Sequence, residues 1–216
     1  MKQAAPPLVT DAYHAASEFL AGVDADWAQL IAATGPCRLQ TKPARAPAEA
    51  LIRAIAYQQL HVKAGDAILG RLLSLYPDVA FPCARRLLAT PFDTLRACGF
   101  SARKVETILA IAQASLDGVV PDLVEAASLD DEAMVRRLCT LKGIGRWTVE
   151  MFLIYTMQRV DILPVDDFGV RNGYRVLKRL AVAPSPRDLA ALGVAWSPYR
   201  TVAAWYLWRV PEVAGS

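Results

Sequence analysis

Apolar residues recur along most of the chain at spacings of three and four, and runs that alternate apolar with polar positions are nearly absent. That period turns one face of a helix toward a core, so the pattern predicts an all-α protein. The expected helices cover 11–21, 26–34, 47–61, 63–76, 91–98, 102–116, about 130–139, 146–158, 167–180, 186–192 and 198–209. Local punctuation supports several of these limits. Thr90 before Pro91, Ser101, and Ser197 before Pro198 read as helix starts, while Gly99 and Gly118 fall just past helix ends. Residues 35–47, with three prolines and several basic residues, read as a connector between an N-terminal helical pair and the remaining helices.

Composition narrows the class further. The 216 residues are 54% hydrophobic and 21% charged, with 12 glycines and 14 prolines, a balance that excludes a disordered or fibrous chain. No apolar run approaches the roughly 18 residues of a membrane helix. The start, Met1 to Pro7, lacks the unbroken apolar stretch of a secretory signal, so the protein is expected inside the cell, in the cytoplasm or nucleoid if bacterial, with no membrane partner. Cys37, Cys83, Cys98 and Cys139 form no C-x-x-C, and only His14 and His61 could add imidazole ligands. Zinc and iron-sulfur centres are therefore not expected, and all four thiols read as reduced, buried small hydrophobes. The net charge of +3 says little, but its distribution says more: residues 136–179 hold nine Lys or Arg against four acids. Arginine outnumbers lysine 18 to 6, which suits phosphate contacts and equally suits an Arg-rich proteome.

The glycine spacing from Gly65 to Gly70 continues into Arg-Leu rather than Lys-Ser/Thr and follows no strand, so it is no phosphate loop. The zincin, nucleophile-elbow and zinc-deaminase signatures are absent. Chemistry concentrates in two places. In the run from Leu138 to Thr148 a helix ends, Gly143 and Gly145 permit a tight hairpin, and a helix starts at Arg146 with unpaired amides able to bind an anion such as a DNA phosphate. Lys142 and Arg146 add charge there; the alternative is a tight αα turn whose glycines serve geometry alone. About twenty residues on, the adjacent acids Asp166 and Asp167 open another helix. Both could serve capping, or one could cap while the other faces a cleft.

Taken together, Leu-x-Gly-Ile-Gly-x-Trp-Thr followed by Pro-x-Asp-Asp-x-Gly-Val resembles the helix-hairpin-helix DNA glycosylases, in particular the alkylpurine (3-methyladenine) branch of AlkA and Mag type, over most of the chain from about residue 50. The resemblance implies that Asp167 is the catalytic acid and Asp166 the helix-capping neighbour. It extends to residues 56–64, where Gln59 takes the position of the wedge that fills the gap left by an extruded base and His61 probes the minor groove nearby. Tyr57 departs from the small residue expected before the Gln-Gln pair. Near the C-terminus, Trp196-Ser197-Pro198-Tyr199-Arg200 matches the family's Trp-x-Pro-aromatic-Arg segment. Trp147, Trp196, Tyr57 and Met151 are then expected to line the base pocket, and Lys142, Gly143, Gly145, Arg146 and Thr148 to meet DNA. Trp205, Tyr206 and Trp208 read as packing.

That resemblance carries several functional expectations. Relatives that also cleave the strand carry a lysine where this chain has Trp147, so water is the expected attacker and no lyase activity is expected. No cofactor is required; backbone carbonyls of Cys139, Leu141 and Ile144 are candidates for holding a monovalent cation, Na+ or K+, at the hairpin. The implied architecture has two helical lobes, 1–46 with 165–216 and 47–164, with the hairpin at about 130–158 and Asp167 in a cleft between them. The partner is double-stranded DNA containing alkylated bases, acted on by a monomer. Some fifty residues before the match are too few for an additional N-terminal domain, which suggests a more open pocket and a range reaching N1-methyladenine and N3-methylcytosine. Removal of another lesion, or a non-catalytic DNA-binding module, stands as the alternative. The first forty-odd residues carry no functional signal.

Overall fold

The computed structural model describes residues 7–210; the reading of the opening residues falls largely outside that range. Among the described residues there are thirteen α-helices, one 3-10 helix and no strand. The all-α expectation holds. Residues 7–42 and 158–210 form one compact unit and residues 43–157 a second.

The first unit contains α1 (Pro7–Ala21), α2 (Ala25–Thr34), α11 (Phe168–Leu177), α12 (Pro186–Leu192), the 3-10 turn Gly193–Trp196 and α13 (Arg200–Leu207). Its centre is α13, in which every residue from Thr201 to Leu207 is buried. A helix that is apolar on nearly all sides must be packed all round. Its buried phenol, Tyr206, pairs with Ser17 Oγ at 2.8 Å, as a buried hydroxyl requires. Asp24 caps α2 by accepting the amides of Asp26 and Trp27 at 3.0 and 3.1 Å, and Lys178 donates to both Asp24 and Asp26.

Residues 158–164 pack with this unit because their polar groups are satisfied by α13 and by the segment that follows α2. Gln158 donates to Thr41 Oγ1 at 2.8 Å, Thr201 donates its amide to Val160, and Ile162 donates its amide to Thr201 Oγ1. Arg200 grips Asp161 through Nε at 2.7 Å and Nη2 at 3.0 Å. Residues 43–46 instead lead into the second unit, where Arg45 lies 3.4 Å from Glu49. The unit limits therefore differ from those drawn on the sequence at both ends of this span.

Burial opposes the charge on Asp161, but hydrogen bonds from Arg200 and Ser197 outweigh it and hold the carboxyl below the usual carboxylate range. A carboxylate depressed on folding stabilises the protein above its unfolded value of about 3.9 and loses that contribution as pH falls through the folded value. Asp161→Asn should therefore lower the urea midpoint at pH 7 and flatten its decline below about pH 4. An acid limb as steep in the variant as in the wild type would remove Asp161 from this role.

The second unit contains α3 (Pro47–Tyr57), α4 (Val62–Ser74), α5 (Ala84–Ala89), α6 (Phe92–Ala97), α7 (Ala102–Leu116), α8 (Leu123–Ser128), α9 (Asp131–Leu138) and α10 (Arg146–Tyr155). Its core joins Leu51, Ile52 and Ile55 of α3 with Ile108 and Ile111 of α7 and Phe152 of α10, all at most 1% exposed. Ser101 caps α7 as expected, accepting the Lys104 amide at 3.2 Å. Two other expected caps are corrected. Pro91 itself, not Thr90, occupies the N-cap of α6, and Tyr199, not Ser197, that of α13, because Ser197 donates its hydroxyl to Asp161. Gly99 and Gly118 do take left-handed backbone, at φ +103° and +75°. Of the four free thiols only Cys37 and Cys98 are buried; Cys83 and Cys139 are exposed, so the expectation of four buried thiols is half right.

Candidate functional site

The hairpin of the second unit joins α9 to α10. Cys139 closes α9, Ile144 is 5% exposed and pins the loop to the core, and the Ile144 amide donates to the Leu141 carbonyl at 3.1 Å. Gly143 adopts φ +90°, and a Cβ on it would overlap the Thr107 hydroxyl. Both facts demand glycine here. Gly145 takes the N-cap of α10 and offers no side-chain acceptor, so the helix starts without a side-chain cap. An uncapped helix start is an anion site in electrostatic terms.

Two cations flank it, each held by a carboxylate. Lys142 Nζ lies 3.3 Å from Glu106, and Arg146 forks Glu132 at 2.8 and 2.7 Å with Glu150 at 3.8 Å. The Glu132 hydrogen bond raises the Arg146 pKa and lowers that of Glu132, so both shifts describe one pair. A phosphate reaching Arg146 must compete with Glu132. Exposed pairs are worth roughly 0.2–1 kcal/mol, so Glu132→Gln should tighten binding to an undamaged duplex by about 1.5- to 5-fold. Fluorescence anisotropy at two salt concentrations would measure it; weaker binding in the variant would mean that Glu132 orients Arg146 instead of occupying it.

Next to the hairpin lies the turn between α3 and α4. Gln58 leaves helical backbone and donates its side-chain amide to Thr148 Oγ1 at 2.8 Å and the Gly143 carbonyl at 3.5 Å. Thr148 is 1% exposed, which corrects the expectation that it meets DNA: it braces the hairpin from behind. Gln59 is exposed in left-handed backbone at φ +55°, and exposed His61 caps α4 by accepting the Lys63 amide at 3.4 Å. Half-buried Tyr57 lays its ring where a Cβ on Gly65 would sit and donates to Asp66 at 2.6 Å. Burial, then that bond, push its phenol upward. Trp147 and Met151 are half-buried on α10, one turn apart.

The first unit holds Asp167, half-buried beside exposed Asp166. Here the capping assignment reverses. Asp167, not Asp166, is the N-cap of α11, accepting the Val170 amide at 2.9 Å, and the same Oδ1 accepts Trp208 Nε1 at 2.9 Å. Donors from both sides of Oδ1 hold the carboxyl group in one orientation. A Cβ on Gly169 would come within 2.9 Å of the Trp208 ring and 3.0 Å of Asp167, so the glycine leaves room for this bond. Trp208, read from the sequence as packing, is thus a partner of the candidate acid. Trp196 goes the other way: it is 2% exposed between Trp27 and Tyr174, with ring centroids at 5.3 and 5.5 Å, and belongs to the core, not to a base pocket.

Among the described residues no group of three or more His, Cys, Asp or Glu could hold a metal ion. Of the carbonyls considered for a monovalent cation, that of Leu141 accepts the Ile144 amide, which leaves its second lone pair for a ligand.

The glycine hairpin between α9 and α10 defines a helix-hairpin-helix protein. Residues 52–198 match the HhH-GPD superfamily of base excision DNA repair proteins, and the chain belongs to that family. It is 43% identical over 198 residues to DNA-3-methyladenine glycosylase 1 of Schizosaccharomyces pombe, covering 90% of this chain and 86% of that protein. It is 35% identical to the alkylbase DNA glycosidase-like protein mag2 of the same organism, covering 93% and 95%. Among solved structures, S. pombe 3-methyladenine DNA glycosylase in complex with abasic DNA superposes with a TM-score of 0.85 at 43% identity, covering 90% of this chain and 95% of that one. A DNA-3-methyladenine glycosidase from Bacillus halodurans superposes with a TM-score of 0.78 at 32% identity, covering 93% and 91%.

Proposed function

We propose that this chain is a monofunctional DNA glycosylase that extrudes alkylated bases, 3-methyladenine foremost, from double-stranded DNA and hydrolyses their N-glycosidic bond. The observation that carries the reading is Asp167, fixed at the start of α11 by the Val170 amide and the Trp208 indole, in a chain 43% identical to a 3-methyladenine DNA glycosylase.

Breaking an N-glycosidic bond builds positive charge on the sugar, and an oriented carboxylate stabilises it. An N-alkylated purine already carries positive charge and leaves neutral, so no strong general acid is needed. Extrusion costs roughly a few kcal/mol, least for weakly paired lesions. Gln59 offsets that cost by entering the vacated stack while His61 lies in the minor groove. Lys142, Arg146 and the amides of Gly143 and Gly145 hold phosphates without reading sequence. Trp147, with Tyr57 and Met151, receives the cationic base, the indole adding about 1–2 kcal/mol by cation–π attraction. Position 147 holds no amine to attack the sugar, so water is the nucleophile and the strand stays intact. Carbonyls of Cys139, Leu141 and Ile144 are assigned to a monovalent cation that would add charge beside the phosphates. The protein acts as a monomer inside the cell; no helix among the described residues is long and apolar enough to cross a membrane.

Chromatography of bases freed from methylated genomic DNA tests the reading. Free 3-methyladenine without strand cleavage is expected, and duplexes carrying N1-methyladenine or N3-methylcytosine define the range. Release of no methylated base would overturn it.

A further inference from the structure

The turn that presents Gln59 is held by groups from outside α3 and α4. No glycine relieves the left-handed backbone at Gln59 (φ +55°), and a non-glycine residue persists there only where its surroundings over-determine it. The structure supplies two tethers, both on the residue before it. From α7, Lys104 Nζ donates to the Ala56 carbonyl at 3.2 Å and the Gln58 carbonyl at 2.8 Å, two acceptors that the end of α3 leaves without helical donors. From the hairpin side, Thr148 and the Gly143 carbonyl accept the Gln58 amide. Lys104 is partly buried, and that burial lowers its pKa. A desolvated ammonium spent on two carbonyls is an arrangement helix packing does not ask for.

We propose that Lys104 is a positioning residue for base extrusion: by clamping the carbonyls of Ala56 and Gln58 it aims Gln59, while Gln58 ties the same turn to the phosphate-holding hairpin. The proposal rests on the wedge role assigned to Gln59 above. Grip on the backbone and insertion into the stack are then parts of one rigid piece, so the ordering of the turn does not have to occur during extrusion.

The distinguishing property is preference for a duplex with a missing base, which the wedge can fill, over an intact duplex, measured by fluorescence anisotropy on the full chain. Lys104→Met should reduce that preference roughly tenfold, the usual scale for losing hydrogen bonds to a charged group, while intact-duplex affinity changes less than twofold. In a Gln59→Gly background, which removes the wedge side chain and tolerates left-handed backbone, the same substitution should change the preference little. Lys104→Arg should restore part of it. Gln58→Met, which cuts the other tether without burying an unpaired charge, should shift the preference in the same direction and covers the case in which Lys104→Met does not fold. Retained preference in folded Lys104→Met, or an equal loss with and without Gln59, would overturn the proposal. Where Lys104→Met does not fold, retained preference in Gln58→Met would do so. A wild-type protein that releases 3-methyladenine but ignores missing bases defeats the wedge alone; one that releases no base defeats the functional reading as well.

Discussion

Asp167→Asn is expected to lower the rate of base release by roughly 100- to 1,000-fold while leaving duplex affinity and thermal stability close to those of the wild type. The rate effect has the size usually seen when one oriented electrostatic partner of a transition state is removed. The selectivity of the change comes from the local structure. Asp167 Oδ1 accepts the Val170 amide and the Trp208 indole, and an asparagine carbonyl oxygen can accept both. Asparagine is as good an N-cap as aspartate, so α11 keeps its start. The charge is lost while both of these bonds can persist. Asp167→Ala would confound the measurement, because it removes the cap and leaves the indole N–H without this acceptor, costing about 1 kcal/mol for the cap alone. Single-turnover release of 3-methyladenine, with anisotropy on an undamaged duplex as the control, separates the two contributions. Unchanged release in Asp167→Asn would take the catalytic role away from this residue.

How much of this was readable in advance depended on the range of the deciding forces. Long amphipathic helices such as α7 and the largely apolar α13 announce themselves because their pattern spans two turns or more. Six-residue helices such as α5 and α8 are too short to establish a period, and both fall outside the helices expected from the pattern. The end of α3 is instructive. The run Ala56-Tyr57-Gln58-Gln59-Leu60-His61 contains no glycine or proline, and the expected helix continued to residue 61, yet the chain turns after Tyr57. The stop comes from Lys104 and the hairpin, 46 or more positions away, and tertiary forces override propensity there. Distance also hid the tie between Trp208 and Asp167, whose separation of 41 positions leaves no local trace.

Motif position carried identity well and environment poorly. It singled out Asp167 of two acids as the candidate, but both are good caps, so which one caps the start of α11 depends on the backbone torsions, and that assignment came out reversed. It placed Trp196 beside the base, whereas Trp27 and Tyr174 enclose that ring in the first unit. Thr148 stands in the same motif as Arg146, two positions on. On a helix that is a rotation of about 200°, enough to turn one side chain to solvent and the other into the core. A linear motif lists both without saying which way each faces.

Gly143→Ala should be the most damaging single substitution in the hairpin, at about 2–5 kcal/mol. Two separable effects add. Forcing an L-residue to φ +90° costs about 1–2 kcal/mol, and placing a methyl against the side chain of Thr107 adds an overpacking cost of about 1–3 kcal/mol. Thr107 cannot easily step aside: it is 4% exposed, β-branched, and its hydroxyl donates to the Arg103 carbonyl at 2.9 Å. The hairpin would have to move, carrying Ile144 out of its buried place and the start of α10 away from any bound phosphate. The two effects can be told apart with Thr107→Ala. That change removes the two nearest atoms a Cβ at 143 would meet, Oγ1 and Cγ2, and leaves only the Cβ of residue 107 at 3.1 Å, so the double variant should recover most of the packing part and retain the torsional part, regaining up to roughly half of the lost stability. Duplex affinity should recover in step, because Gly145 and Arg146 return with the turn. Urea unfolding of the four proteins, with anisotropy on an intact duplex, closes the cycle. A Gly143→Ala variant that loses less than about 1 kcal/mol, or one that Thr107→Ala does nothing to relieve, would mean that the hairpin yields at this point and that its glycine is not held there by the fit against α7.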